Sequence, residues 1–101
     1  MEKESLEYKI IELVTRAYLN SGKVESEIDH HHFRVEIKKR GDIDYLKLFI
    51  NSKPKAEVEV ARTTSRLIFL DEYDSNAIKY ILPFILSLGL KKEVIRYYKA
   101  F

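Results

Sequence analysis

The spacing of apolar residues changes part-way along this chain, and that change fixes its class of fold. Over residues 2–20, Leu6, Ile10, Leu13, Val14 and Ala17 recur at steps of three and four and form the stripe of an amphipathic helix. Glu2, Glu4 and Glu7 stand in its first turns, where the helix dipole favours negative charge. Asn20-Ser21-Gly22 supplies a stop, with Gly22 suited to a left-handed cap. From Lys23 to about Asp71 the period falls to two. Phe33, Val35 and Ile37 alternate with Arg34, Glu36 and Lys38, Leu46, Leu48 and Ile50 alternate with Tyr45, Lys47 and Phe49, and Val58 and Val60 alternate with Glu57 and Glu59. A fourth run, Leu67-Ile68-Phe69-Leu70, is apolar on both faces, as expected of a better covered strand.

The breaks at Arg40-Gly41-Asp42, Asn51-Ser52-Lys53-Pro54 and Thr63-Thr64-Ser65 are short enough for hairpins, so the strands are expected to form an antiparallel meander. Keeping the apolar sets on one side pairs Ile37 with Leu46 in the first hairpin and Leu48 with Val58 in the second. On the other side, Glu36 then meets Lys47, Lys47 meets Glu59, Arg34 meets Phe49, Phe49 meets Glu57, and Lys38 meets Tyr45. One irregularity precedes these strands. Val24 and Ile28 are even-numbered while Phe33, Val35 and Ile37 are odd, so a bulge or a break is required around Asp29–His32.

Asp74 or Ser75 can cap a second helix starting at Asn76, which Pro83 must kink or restart and Gly89 must end. Residues 91–101, with Val94, Tyr98 and Phe101 on one side, read as a final short helix that acts as a lid over the core. The sequence therefore predicts one two-layer α+β domain over residues 1–101, with an N-terminal helix, a four-stranded antiparallel meander sheet and two C-terminal helices.

Composition narrows the functional field. With 46% hydrophobic and 34% charged residues the chain has the makings of one core, and its 18 Lys+Arg against 16 Asp+Glu imply no polyanionic partner from net charge alone. There is no cysteine, which removes disulfides, thiol nucleophiles and Cys-ligated metals. The absence of Gln, Cys and Trp, together with abundant Lys and Glu, is a thermophile-like composition. The acidic start gives no export signal, and the uncharged stretch from Tyr80 to Leu90 is too short to span a bilayer, so a cytoplasmic protein with no membrane association is expected.

Four features could carry function. Asp29-His30-His31-His32 offers imidazoles, with His30 and His32 expected to share a strand face, but no third ligand completes a set, and no metal or other cofactor is expected. Tyr45 and Phe49 around Lys47 could stack bases, yet acids flank them at every step, and an alternating-sign ladder reads as a self-satisfied solvent face. In a meander the first and third hairpin tips share one end. That gathers Lys38, Lys39, Arg40, Arg62, Thr63, Thr64 and Arg66 as candidate anion or nucleic-acid ligands. Finally, the helix from Asn76 has no polar stripe: Ile81, Phe84, Ile85 and Leu88 are either sandwiched by the flanking helices or form an interface.

No nucleophile elbow, glycine-rich loop or isolated carboxylate pair supports catalysis. The expected function is a small non-enzymatic protein-interaction module, a homodimer or a subunit of a larger assembly. The alternative is a DNA- or RNA-binding accessory protein using the basic end of the sheet.

Overall fold

Two helices lie on one face of a five-stranded antiparallel sheet in the computed structural model, which describes residues 5–71 and 74–95. The order is α1 (Leu6–Asn20), β1 (Lys23–Ile28), β2 (His31–Arg40), β3 (Ile43–Ile50), β4 (Lys53–Val60), β5 (Ser65–Leu70), a 3-10 turn (Ser75–Ala77) and α2 (Ile78–Ser87). The strands lie side by side in chain order, so the meander expected from the sequence is present with five strands rather than four. Residues 96–101 of the expected final helix lie outside the described residues, as do Glu2 and Glu4. Helical hydrogen bonds run from Val94 N–H to the Lys91 carbonyl and from Ile95 N–H to the Lys92 carbonyl. No helix among the described residues is long and apolar enough to cross a membrane.

The extra strand explains the change of parity. Ile28 pairs with His31 across a two-residue loop, Asp29-His30, and both loop residues have positive φ (53° and 66°). That is the sign pattern of a type I′ turn, whose twist matches that of the strands it joins. Asn51-Ser52 repeats the device between β3 and β4, with φ of 52° and 69°. The Asn51 backbone N–H reaches the His32 carbonyl at 2.7 Å, and its side-chain oxygen accepts from the His32 backbone N–H at 3.0 Å, which binds this tip to the start of β2.

The first expected register is observed in full, from Ile37 with Leu46 to Arg34 with Phe49. The second is displaced. Leu48 pairs with Ala56 and Leu46 with Val58, so Lys47 meets Glu57 and Tyr45 meets Glu59. Between the Phe49–Pro54 and Leu48–Ala56 pairs, Lys55 is an extra residue on β4. A second irregularity leaves Ile68 as the extra residue of β5, between pairs made by Leu67 and Phe69. The β5 run is also not the covered strand its composition suggested. It forms an edge of the sheet, with Ile68 37% and Phe69 36% exposed.

The inward sheet residues Val24, Phe33, Val35, Ile37, Leu46, Leu48, Ile50, Ala56, Val58 and Leu70 are buried against Ile10, Leu13, Val14 and Ala17 of α1 and Tyr80, Ile81, Phe84, Ile85 and Leu88 of α2. Ser5 caps α1, its hydroxyl accepting from the Tyr8 N–H at 3.1 Å, while Ser21 rather than Gly22 takes the left-handed position after the helix (φ 51°). Asp74 precedes the 3-10 turn without capping it through its side chain. The helix α2 continues through Pro83 and closes at Gly89 (φ 88°), where Gly89 N–H bonds the Leu86 carbonyl and Leu90 N–H the Ile85 carbonyl, a Schellman closure.

The left-handed His30 gives a direct check on the first turn. His30→Gly relieves the strain of a side chain at positive φ and is expected to raise the melting temperature by about 4 °C, from about 1 kcal/mol, whereas His30→Val lowers it. Thermal melts followed by circular dichroism measure both.

Candidate functional site

The meander puts two hairpin tips at each end of the sheet, and the two ends differ in chemistry. At one end lie the β1–β2 and β3–β4 tips, beside the start of α2. The three histidines there face different ways. His30 stands in the turn. His32 points to the uncovered face of the sheet, where its Nε2 lies 2.9 Å from Glu25 Oε1. His31 lies on the side of the helices, edge-on to Tyr80 with ring centroids 5.9 Å apart. His30 and His32 therefore do not share a strand face, because the turn separates them, and among the described residues no group of three metal-ligating side chains converges.

The contacts of Asn51 fix the state of His31. Its side-chain oxygen accepts from the His32 backbone, so its Nδ2 is the donor toward His31 Nδ1 at 3.0 Å. His31 thus receives at Nδ1 and carries its proton on Nε2, a tautomer inferred from the network. Beside it is a cavity of about 220 Å³ lined by His31, Asn51, Lys53, Lys55, Asp74 and Tyr80, among others.

Lys55 is the charged residue the sequence did not single out. The β4 irregularity turns it inward, and its side chain is only 8% exposed. Its Nζ donates to Asp71 Oδ2 at 3.0 Å and Asp74 Oδ2 at 2.9 Å. Burial opposes the charge on Lys55, but the hydrogen bonds to Asp74 and Asp71 outweigh it and push the lysine up from its ordinary value. The Lys55 hydrogen bond in turn holds Asp74 below the usual carboxylate value. An ammonium held in this way keeps its proton and is no nucleophile. The signal in the sequence was parity: Lys55 sits where a two-residue turn and the even-numbered Val58 and Val60 cannot both hold without an extra residue.

At the opposite end, the β2–β3 and β4–β5 tips bring the predicted basic residues together in part. Lys38 and Arg40 border an open groove of about 290 Å³ on the uncovered sheet face, with Tyr45, Lys47, Glu36 and Glu57. Among the described residues neither Lys38 nor Arg40 has an ion-pair partner. Arg66 is on the same face, 72% exposed, with Nη2 3.3 Å from Glu59. Lys39 pairs in register with Asp44 and points to the other face. The exposed Arg62, Thr63 and Thr64 form the β4–β5 tip, where the Thr64 carbonyl accepts from the Ala61 N–H at 2.8 Å. The neighbouring Ser65 hydroxyl donates to the Leu88 carbonyl at 2.7 Å.

On the sheet face between the two ends, Phe49 is not free to stack. The Arg34 guanidinium lies over its ring at 4.1 Å, and Arg34 Nε is 2.9 Å from Glu36. The four residues considered for an interface are in the core. Ile81, Phe84 and Ile85 are fully buried and Leu88 is 7% exposed, because α1 covers the side of α2 that the sheet does not.

Large apolar side chains emerge instead on the outside of the helix layer. On α1, Tyr8 is 53%, Ile11 44% and Leu19 79% exposed, and on α2 Leu86 is 47% exposed. With Thr15, the α1 residues recur at helical spacing and form a second stripe, opposite the buried one. The sequence carried this signal, but the stronger inner stripe and the apolar run of α2 masked it.

No known protein family, curated protein or solved structure matches the chain.

The clamp predicts a pH response. Asp74, with its pKa lowered on folding, contributes stability above the ordinary carboxylate range and loses it as pH falls through the folded value. Lys55, with its pKa raised, contributes below the ordinary lysine value and loses that as pH rises through the folded one. Asp71→Asn/Asp74→Asn together leave the buried ammonium uncompensated and are expected to cost about 3 kcal/mol at neutral pH, against about 1 kcal/mol for Asp74→Asn alone. Urea unfolding at neutral and acid pH tests this, with the gap between wild type and Asp74→Asn closing in acid.

Proposed function

We propose that the chain is a cytoplasmic, non-enzymatic protein-interaction module whose contact surface is the exposed apolar stripe of α1. The observation that carries this is the exposure of Tyr8, Ile11 and Leu19 along one side of a single helix. Scattered apolar residues on a surface are ordinary, whereas an aligned row on a rigid helix is a surface suited to a partner. The sheet's uncovered face supports the same reading. Arg34 with Glu36, Lys47 with Glu57 and Arg66 with Glu59 neutralise one another there and leave little free charge for a ligand.

Ile11→Glu/Leu19→Glu places charge on the stripe without touching the core. Wild type is expected to form an assembly, as a dimer or with another subunit, measured by light scattering after size exclusion. The double variant is expected to stay folded and lose that assembly. An unchanged assembly in the variant would overturn the reading.

A second reading rests on Lys38 and Arg40, which line one groove with Tyr45 and have no ion-pair partner among the described residues: binding of a single-stranded nucleic acid. Fluorescence anisotropy with a labelled oligonucleotide tests it. If three phosphates are contacted, log K falls with log salt at a slope of about −2, and Lys38→Glu/Arg40→Glu abolishes binding. A salt-independent signal, or none, removes this reading.

A further inference from the structure

The geometry points to a second copy of this chain as the occupant of the α1 stripe, packed antiparallel about a two-fold axis level with Val14. This inference rests on the stripe being a contact surface and adds the partner and its register.

Two features of α1 make the stripe complementary to itself. The first is the order of its apolar residues. A two-fold axis passing between the two helices, level with Val14, places Tyr8 of one copy level with Leu19 of the other, to within about 1.5 Å at the helical rise per residue. The same operation brings Ile11 toward Thr15. Thr15 suits that place, because its hydroxyl donates to the Ile11 carbonyl at 3.0 Å and leaves the methyl group for packing.

The second feature is charge. Glu12 and Arg16 are exposed, border the same side of the stripe, and have no ion-pair partner among the described residues. They are four residues apart on one helix yet do not pair with each other. A two-fold axis perpendicular to paired helices brings like flanks together, so Glu12 of one copy meets Arg16 of the other, and the pair occurs twice. Parallel packing would instead set this flank against the opposite one, where Glu7 and Tyr18 stand and no base answers Glu12. Charge order therefore selects the antiparallel sense, and the apolar order fits the same register. One helix pair is small among protein interfaces, so the dimer is expected to depend on concentration.

Charge reversal tests the register. Glu12→Arg faces Arg16 with arginine, and Arg16→Glu faces Glu12 with glutamate. Each alone is expected to weaken dimerisation by about tenfold in sedimentation equilibrium. An equimolar mixture of the two single variants, and the double variant alone, are each expected to recover wild-type affinity, because both restore opposite charges at both contacts. A monomeric wild type overturns the inference. So does a dimer indifferent to both reversals. If that indifferent dimer is still broken by Ile11→Glu/Leu19→Glu, the stripe remains the contact surface and only the antiparallel register falls. If Leu86→Glu alone breaks it, the contact belongs to α2.

Discussion

A strand shows alternate residues to opposite faces, so a sheet keeps one apolar face only if every connection respects the parity of the inward set. In this chain each two-residue turn inverts that parity. The inward set is even-numbered in β1, odd in β2 and even again in β3. The next turn, Asn51-Ser52, would invert it once more and point Val58 outward. The extra residue at Lys55 restores it, and Ile68 makes a further correction in β5. The left-handed backbone at Asp29, His30, Asn51 and Ser52 and the buried Lys55 clamp are thus parts of one solution. The turns set the parity, the irregularity repairs it, and two aspartates neutralise the lysine that the repair turns inward.

That solution divides the surface of the molecule. One sheet face is closed by α1 and α2. On the other, Arg34 pairs with Glu36, Lys47 with Glu57 and Arg66 with Glu59, and Arg34 lies over Phe49. The clamp end uses its polar groups to hold β4, β5 and the start of α2 together, and Asn51 fixes the adjoining tip. Among the described residues, Lys38 and Arg40 at the opposite end of the sheet have no ion-pair partner, and the outer row of α1 is exposed. The row on α1 is apolar and bordered by Glu12 and Arg16, an acid and a base without an ion-pair partner among the described residues.

Much of the fold was legible because period is a strong signal. The inner stripe of α1, the alternation in β2 and β3 and their register follow directly from the positions of apolar residues. The loss of period-two regularity at Asp29–His32 marked a feature there, but Asp29-His30 lacks the glycine that announces a type I′ turn, so the segment did not read as a hairpin. The β3–β4 register moved because the inserted residue, Lys55, looks in sequence like one more exposed lysine. Its burial depends on Asp71 and Asp74, far along the chain. The interface candidates in α2 were drawn from the most apolar segment, and in a chain this short that segment is also the one the core needs. The α1 stripe was harder to see, since Tyr8, Ile11, Thr15 and Leu19 are interleaved with the residues that make the core stripe.

The chain has no cysteine of its own, so a single introduced thiol can report on the axis without interference. Thr15 lies nearest that axis on the exposed side. Thr15→Cys under mild oxidation is expected to give a disulfide-linked dimer faster than Ser52→Cys, whose thiol sits at an equally exposed hairpin tip away from α1. Preferential cross-linking through residue 15 is expected if α1 packs against its own copy. Equal or slower cross-linking through residue 15 would contradict the claim that α1 meets its own copy.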